Sequence, residues 1–148
     1  MTNIVIKDKQ PFGKLNFGGA DCADMQGANM HFVSDIRGVK ILVLSYTFGL
    51  RGKWDFGELD KVFLYHANMS KVSYMRGAKM MSFYGATGLN GVLDLVDTAE
   101  AYFQDNDLSK VKVIRCNVTT KLDGLKSCKD WQGKIKYVSY RPRQENQH

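Results

Sequence analysis

The stretch SFYGATGLNGVLDLVDTAEAYF, residues 82–103, joins a glycine-rich segment to the most regular apolar pattern in the chain. Asp94 and Asp97 lie near the start of this pattern, where the positive end of a helix dipole favours carboxylates. The apolar residues recur at spacings of three and four, as on one face of an amphipathic helix; they are Leu89, Val92, Leu93, Val96, Ala99 and Phe103. We therefore predict a helix over about 89–104 whose core side chains include Val92, Leu93, Val96 and Phe103.

Strands are predicted on both sides of this helix. VKILVLSYTF, residues 39–48, is rich in β-branched and aromatic residues and has a glycine at each end, which is typical of a buried strand. Residues 110–118 and 134–141 predict two further strands. The sequence therefore predicts one α+β domain over 1–143, with a mostly antiparallel sheet of five to seven strands and the 89–104 helix packed on it. We expect a flexible tail at 144–148, and we find no internal repeat or linker.

The composition is that of a folded globular protein. The 148 residues are 44% hydrophobic and 24% charged, with two prolines. The N-terminus lacks the apolar segment of a signal peptide, and no run approaches the roughly 20 apolar residues of a membrane span. Three widely separated cysteines, Cys22, Cys116 and Cys128, predict free thiols in a reducing compartment. We expect a cytoplasmic protein without a membrane segment.

The positive charge is concentrated at the C-terminal end. Residues 110–148 hold ten Lys and Arg against three Asp and Glu, which is a net charge of +7. The whole chain has a net charge of +6, so residues 1–109 have a net charge of −1. Such asymmetry favours a polyanionic partner, or a solvated face that opposes edge aggregation.

Aromatic residues lie among these cations, as in proteins that bind single-stranded nucleic acid by phosphate contacts and base stacking. The residues of this predicted face are Lys110, Lys112, Arg115, Trp131, Lys134, Lys136, Tyr137, Tyr140, Arg141 and Arg143. The leading hypothesis is a small accessory or regulatory protein that binds nucleic acid, single-stranded in preference. The alternative is a protein-interaction module, an inhibitor or adaptor of the kind viruses and mobile elements encode, that binds an acidic partner protein through the same face.

The glycine-rich segment permits a second alternative, a nucleotide-binding protein or enzyme. Gly85, Thr87, Gly88 and Gly91 could present backbone amides to an anion at a helix start, and an ordinary turn or a close backbone contact would need the same glycines. GATGLNG also resembles the GATGxxG loop of extended short-chain dehydrogenases. The chain has no Tyr-x-x-x-Lys pair, that family's catalytic signature, and we assign no family.

Catalytic and metal-binding patterns are weak. His31 and His66 are single, no C-x-x-C occurs, and no nucleophile motif accompanies either histidine. We predict no catalytic residues, no metal site and no cofactor, and the sequence leaves the oligomeric state open.

Overall fold

The computed structural model describes residues 2–138, which form a parallel β-solenoid. The strands are β1 (Asn3–Val5), β2 (Phe12–Asp24), β3 (Phe32–Val43), β4 (Arg51–Asp55), β5 (Lys61–Phe63), β6 (Lys71–Arg76), β7 (Met80–Ser82), β8 (Gly91–Leu95), β9 (Glu100–Tyr102), β10 (Val111–Cys116), β11 (Lys121–Asp123) and β12 (Ile135–Tyr137). A 3-10 turn at Leu125–Ser127 is the one helical segment in the described part of the chain. Within that part, no helix is long and apolar enough to cross a membrane.

The strands form two parallel sheets. The long sheet has the order β1-β2-β3-β5-β7-β9-β11, and the short sheet has the order β12-β10-β8-β6-β4. Each strand of a sheet pairs in parallel with its neighbour one coil away, as β5 pairs with β7 and β6 with β8. Because the chain returns to the same sheet in the same direction after every coil, an antiparallel pair has no place in this winding.

Side chains at equivalent positions of successive coils stack into columns. One inward column of the long sheet is Ile4, Ala23, Leu42, Val62, Met81, Ala101 and Leu122, whose members are 19 to 21 residues apart. The five middle members are fully buried, while the strand residues on either side of them are exposed or half-buried, apart from the buried Ser82. Period-two alternation in short strands therefore builds the core, coil by coil.

One corner of every coil uses the left-handed backbone conformation. Six corner residues have positive φ angles between 55° and 73°, namely Asp8, Gly27, Tyr46, His66, Gly85 and Asp105. The amides of Asp8, Gly27, Tyr46 and His66 donate to carbonyls of the next coil, as Tyr46 N–H does to the Tyr65 carbonyl at 2.8 Å. Glycine adopts this conformation without strain, whereas tyrosine and histidine do so at a cost.

The sequence repeats over two coils, contrary to the expectation of no internal repeat. Residues 39 positions apart are identical at several places, including Asn29 and Asn68, Gly49 and Gly88, Gly52 and Gly91, Asp55 and Asp94, and the series Arg37, Arg76 and Arg115. The repeated asparagines have one structural role, since Asn29 and Asn68 each accept a hydrogen bond from the amide two residues later. The repeat is hard to see in the sequence because the inward positions require apolar character rather than one residue type, and they range from Ala23 to Phe83.

A ladder of alternating charges runs across the short sheet. Parallel register aligns Asp55, Arg76, Asp94 and Arg115 on successive strands, and we call these four residues the charge ladder. The alternation ends there, because the next residue in register is Lys136. Arg76 contacts Asp55 at 3.3 Å and Asp97 at 2.9 Å, and Arg115 contacts Asp94 at 2.9 Å. Opposite charges on adjacent strands favour this register over one shifted by a residue.

The predicted α+β fold, with its antiparallel sheet and its helix at 89–104, is wrong. Residues 91–95 and 100–102 are strands β8 and β9 of different sheets. Leu93, Leu95 and Phe103 are buried, whereas Val92 and Val96 are half-buried. The helical spacing arises because two period-two strands are joined by a turn, so their inward residues combine into intervals of two, three and four. Sequence periodicity alone does not separate this pattern from a helix.

Candidate functional site

One side of the solenoid joins the end of each long-sheet strand to the start of the next short-sheet strand. We call this side the connecting face; it consists of the segments 25–34, 44–53, 64–74, 83–93 and 103–110, each of which begins after a long-sheet strand. The first four segments contain no Asp or Glu, although they include Arg51, Lys53 and Lys71. A negatively charged ligand would meet no carboxylate from these four segments, whereas the Asp8 carboxylate of the coil before them lies over Gly27.

Exposed aromatic side chains are concentrated on the connecting face. Five of the nine large hydrophobic side chains that are exposed in residues 2–138 lie on it, and a sixth, Phe12, pairs in register with one of them. The five are Phe32, Tyr46, Phe48, Tyr65 and Tyr84. Tyr46 is 56% exposed and Tyr84 46%, so each presents about half of its ring surface to solvent.

Several of these rings contact each other between coils. Tyr46 and His66 stack with centroids 5.0 Å apart and an interplanar angle of 23°. Tyr65 meets Tyr84 edge to face at 5.9 Å. The stacked distance matches the spacing of about 4.8 Å between neighbouring parallel strands, so the coil repeat itself sets the ring separation.

These rings surround a shallow depression of about 450 Å³. Its lining residues are Gln26, Ser45, Tyr46, Tyr65, His66 and Tyr84. On the side of the Tyr46 ring away from His66, Gly27 contributes no side chain, and the Asp8 carboxylate lies over this glycine. At the other end, the His66 ring lies directly over Gly85, where an added Cβ would approach it to 2.5 Å. The depression is therefore lined mainly by rings and is open to solvent.

Cations line the corner at which the connecting face meets the short sheet. Arg51 pairs in register with Lys71. Lys110 lies two coils beyond Lys71, and on the coil between them the Asn90 side-chain amide donates to the Ser70 carbonyl while the Gly91 amide donates to the Lys110 carbonyl. We call Arg51, Lys71 and Lys110 the basic corner. All three side chains are exposed, and none makes a salt bridge within residues 2–138.

The structure separates the cations of the sequence-predicted face. Lys110, Lys112 and Lys136 are exposed, whereas Arg115 is engaged by Asp94. The Lys134 ammonium donates to the Val111 carbonyl at 2.8 Å, so this lysine holds the last coils together.

The aromatic residues of the sequence-predicted face differ in their exposure to solvent. Trp131 is half-buried against the core, and Tyr137 is 59% exposed on β12. Strands β10 and β12 are neighbours, as the sequence suggested, but they run parallel. Tyr140, Arg141, Arg143 and the tail 144–148 lie outside the described residues.

The glycine-rich segment packs against the preceding coil. A Cβ at Gly88 would approach Ser70 to 2.7 Å, and one at Gly91 would overlap the Ser73 carbonyl oxygen. The Thr87 amide donates to the Ala67 carbonyl and the Gly91 amide to that of Lys110. Strand β8 stands where the anion-site hypothesis required a helix N-terminus.

Two properties of the ionisable side chains bear on catalysis, namely how they group in space and the pKa values of the thiols. Within residues 2–138, no three His, Cys, Asp or Glu side chains come together in a way that could hold a metal ion. All three cysteines are free, and burial raises the pKa of the Cys22, Cys116 and Cys128 thiols, which disfavours the nucleophilic thiolate. Burial, with the hydrogen bond to Asp94, raises the pKa of Tyr74 to about 12 and keeps its hydroxyl protonated.

Sequence reasoning missed Arg51, Lys71, Tyr46, Tyr65 and Tyr84 as members of one surface. Their common signal is the coil period, since Arg51 and Lys71 are 20 residues apart and Tyr46 and His66 are also 20 apart. A search at that spacing would have aligned them, although it would not have shown which side chains point outward.

Comparison with known proteins finds no match among family models, curated proteins or solved structures. The fold and its surface thus define the class by themselves: a parallel β-solenoid with one aromatic, carboxylate-poor side bordered by cations.

Proposed function

We propose that this protein is a non-catalytic accessory or regulatory protein that binds single-stranded nucleic acid along the connecting face. The observation that carries the proposal is the basic corner. Arg51 and Lys71 stand on adjacent strands, neither makes a salt bridge within the described residues, and segments 44–53 and 64–74 contain no Asp or Glu. Cations left unneutralised in a row along the solenoid axis suit a phosphate backbone, which carries regularly spaced negative charges.

The exposed lysines beyond the corner extend this path. Lys53 and Lys112 lie one or two residues further along their strands, and both are exposed. Lys112 is an extra residue at a β-bulge between Val111 and Val113, which supports its outward position. The cations predicted from the sequence thus contribute Lys110 and Lys112 to a longer row. In this proposal the protein acts in the cytoplasm, where free cysteines remain reduced.

Salt-dependent binding to a single-stranded oligonucleotide tests the proposal. Affinity should fall steeply with salt, and Arg51→Ala with Lys71→Ala should lower the magnitude of the slope of log K against log salt by about 1.4, which is 0.7 for each lost phosphate contact. Lys61→Ala with Lys79→Ala is the matched control, because it removes two exposed cations of the long-sheet side. Unmeasurable binding at low salt would refute the proposal.

Two further outcomes discriminate between surfaces and partners. If Lys112→Ala with Lys136→Ala changes the slope while the Arg51 and Lys71 variant does not, the binding surface is the C-terminal face rather than the basic corner. If capture from a nuclease-treated lysate retains an acidic protein while purified oligonucleotides do not bind, the alternative of a protein-interaction module is correct.

A further inference from the structure

We propose that the ring stack of Tyr46 and His66 is a base-stacking site that selects single-stranded over duplex nucleic acid. This inference rests on the proposed function and assigns separate tasks to two columns of the same face. The basic corner contacts phosphates, and the rings contact bases. Aromatic faces stack on any base, so such a site discriminates by strandedness rather than by sequence.

Tyr46 and His66 both have a backbone conformation that is unfavourable for bulky side chains. Both residues adopt left-handed φ angles, 59° and 57°, at a corner where Gly27 and Gly85 adopt the same conformation without strain. Glycine would satisfy the fold at either position, so the bulky rings are present at a cost in stability. Strained residues of this kind are concentrated at functional sites.

The face of the Tyr46 ring that points away from His66 is exposed. Tyr46 stacks on His66 by one face, and the neighbouring coil has Gly27 at the equivalent position of the column. The side chain that leans over Gly27 is that of Asp8, from the coil beyond. A planar group entering beside Gln26 and Ser45 would therefore meet the exposed face of Tyr46 and continue the stack.

The rings of Tyr46 and His66 lie close in sequence to the cations of the basic corner. Phe48 and Arg51 follow Tyr46 on the same coil, and Asn68 and Lys71 follow His66. On these two coils the rings and the cations thus form two parallel rows, with ring and cation five positions apart in the sequence. A strand lying along the axis could direct its bases to one row and its phosphates to the other, whereas the paired bases of a duplex are not free to do so.

The test compares an oligothymidylate of about 16 nucleotides with an abasic oligonucleotide of equal length, which keeps the phosphates and lacks the bases. The wild-type protein should bind the oligothymidylate more tightly. Tyr46→Gly should weaken that binding by roughly 5- to 150-fold, since stacking on one ring contributes about that factor. The variant should not affect abasic binding or the salt slope, which a general loss of structure would change. Its fold is protected because glycine already occupies this corner at positions 27 and 85.

Tyr102→Leu is the control, because this ring lies on β9 of the long sheet, where its hydroxyl donates to Glu100 and Lys121 lies over its face. Equal wild-type affinity for the two oligonucleotides, or no effect of Tyr46→Gly, would overturn the stacking site and leave phosphate binding intact. Absence of binding to both oligonucleotides at low salt would instead refute the proposed function, and the inference with it.

Discussion

The charge ladder and the basic corner stack ionic side chains along the same axis with opposite results. In the ladder, Asp94 lies between Arg76 and Arg115, so each charge has a neighbour of opposite sign. In the basic corner, Arg51 stands beside Lys71, and neither makes a salt bridge with another residue of 2–138. Like charges on adjacent strands are destabilising. A solenoid can thus neutralise a column and stabilise its register, or leave a column charged and available to a ligand.

The largest expected effect tests the strand alternation on which both columns depend. Leu95→Ala should lower the free energy of unfolding by about 2–5 kcal/mol, because Leu95 is fully buried. Val96→Ala should cost about 1 kcal/mol or less, because Val96 is half-buried at a turn. Urea unfolding followed by circular dichroism measures both. A helix over 89–104 would reverse the order, with Val96 facing the core.

Removing the centre of the charge ladder should have the next largest effect. The Asp94 side chain is 13% exposed and accepts hydrogen bonds from Arg115 and from the Tyr74 hydroxyl at 2.8 Å. Asp94→Ala leaves both donors unpaired, so we expect a loss of about 1–2 kcal/mol, below the value for a fully buried pair. Asp97→Ala should cost within about 0.5 kcal/mol, because Arg76 keeps Asp55. Equal costs in denaturant unfolding would argue against a special role for the ladder.

Converting the basic corner into a ladder should separate binding from stability. Lys71→Glu places a carboxylate beside Arg51 on the neighbouring strand. We expect the free energy of unfolding to stay within about 0.5 kcal/mol of wild type or to rise, while oligonucleotide binding is lost. Lys61→Glu, which makes the same charge change on β5, should leave binding nearly unchanged. If both variants lose binding equally, net charge rather than the basic corner governs the affinity.

The smallest expected effect is a pH dependence from Tyr74, next to the ladder. Its pKa in the folded protein is about 12, against 10.0 for an ordinary tyrosine. Between about pH 10 and 12 the unfolded chain loses this proton while the folded protein keeps it, so stability present below pH 10 falls as the pH rises. Tyr74→Phe should therefore lose less thermal stability over that interval than wild type. Parallel pH curves for the two proteins would contradict the raised pKa.

Part of the candidate site was accessible from the sequence. The C-terminal excess of cations drew attention to Lys110 and Lys112, which are exposed and continue the row of the basic corner. The same reasoning included Arg115, which Asp94 neutralises, because local composition does not show which charges meet across coils. It omitted Arg51 and Lys71, since neither lies in a basic segment of the chain.

The sequence by itself determined the alternation of apolar and polar residues, the positions that need glycine, and the excess charge. These are local properties, set by each side chain's chemistry and by the backbone conformations it can adopt. Only the tertiary structure decided that the strands wind in parallel, and hence which residues stack. Coil winding brings residues about 20 positions apart into register, and that long-range pairing turned Asp94 and Arg115 into an ion pair and Tyr46 and His66 into a stack of rings.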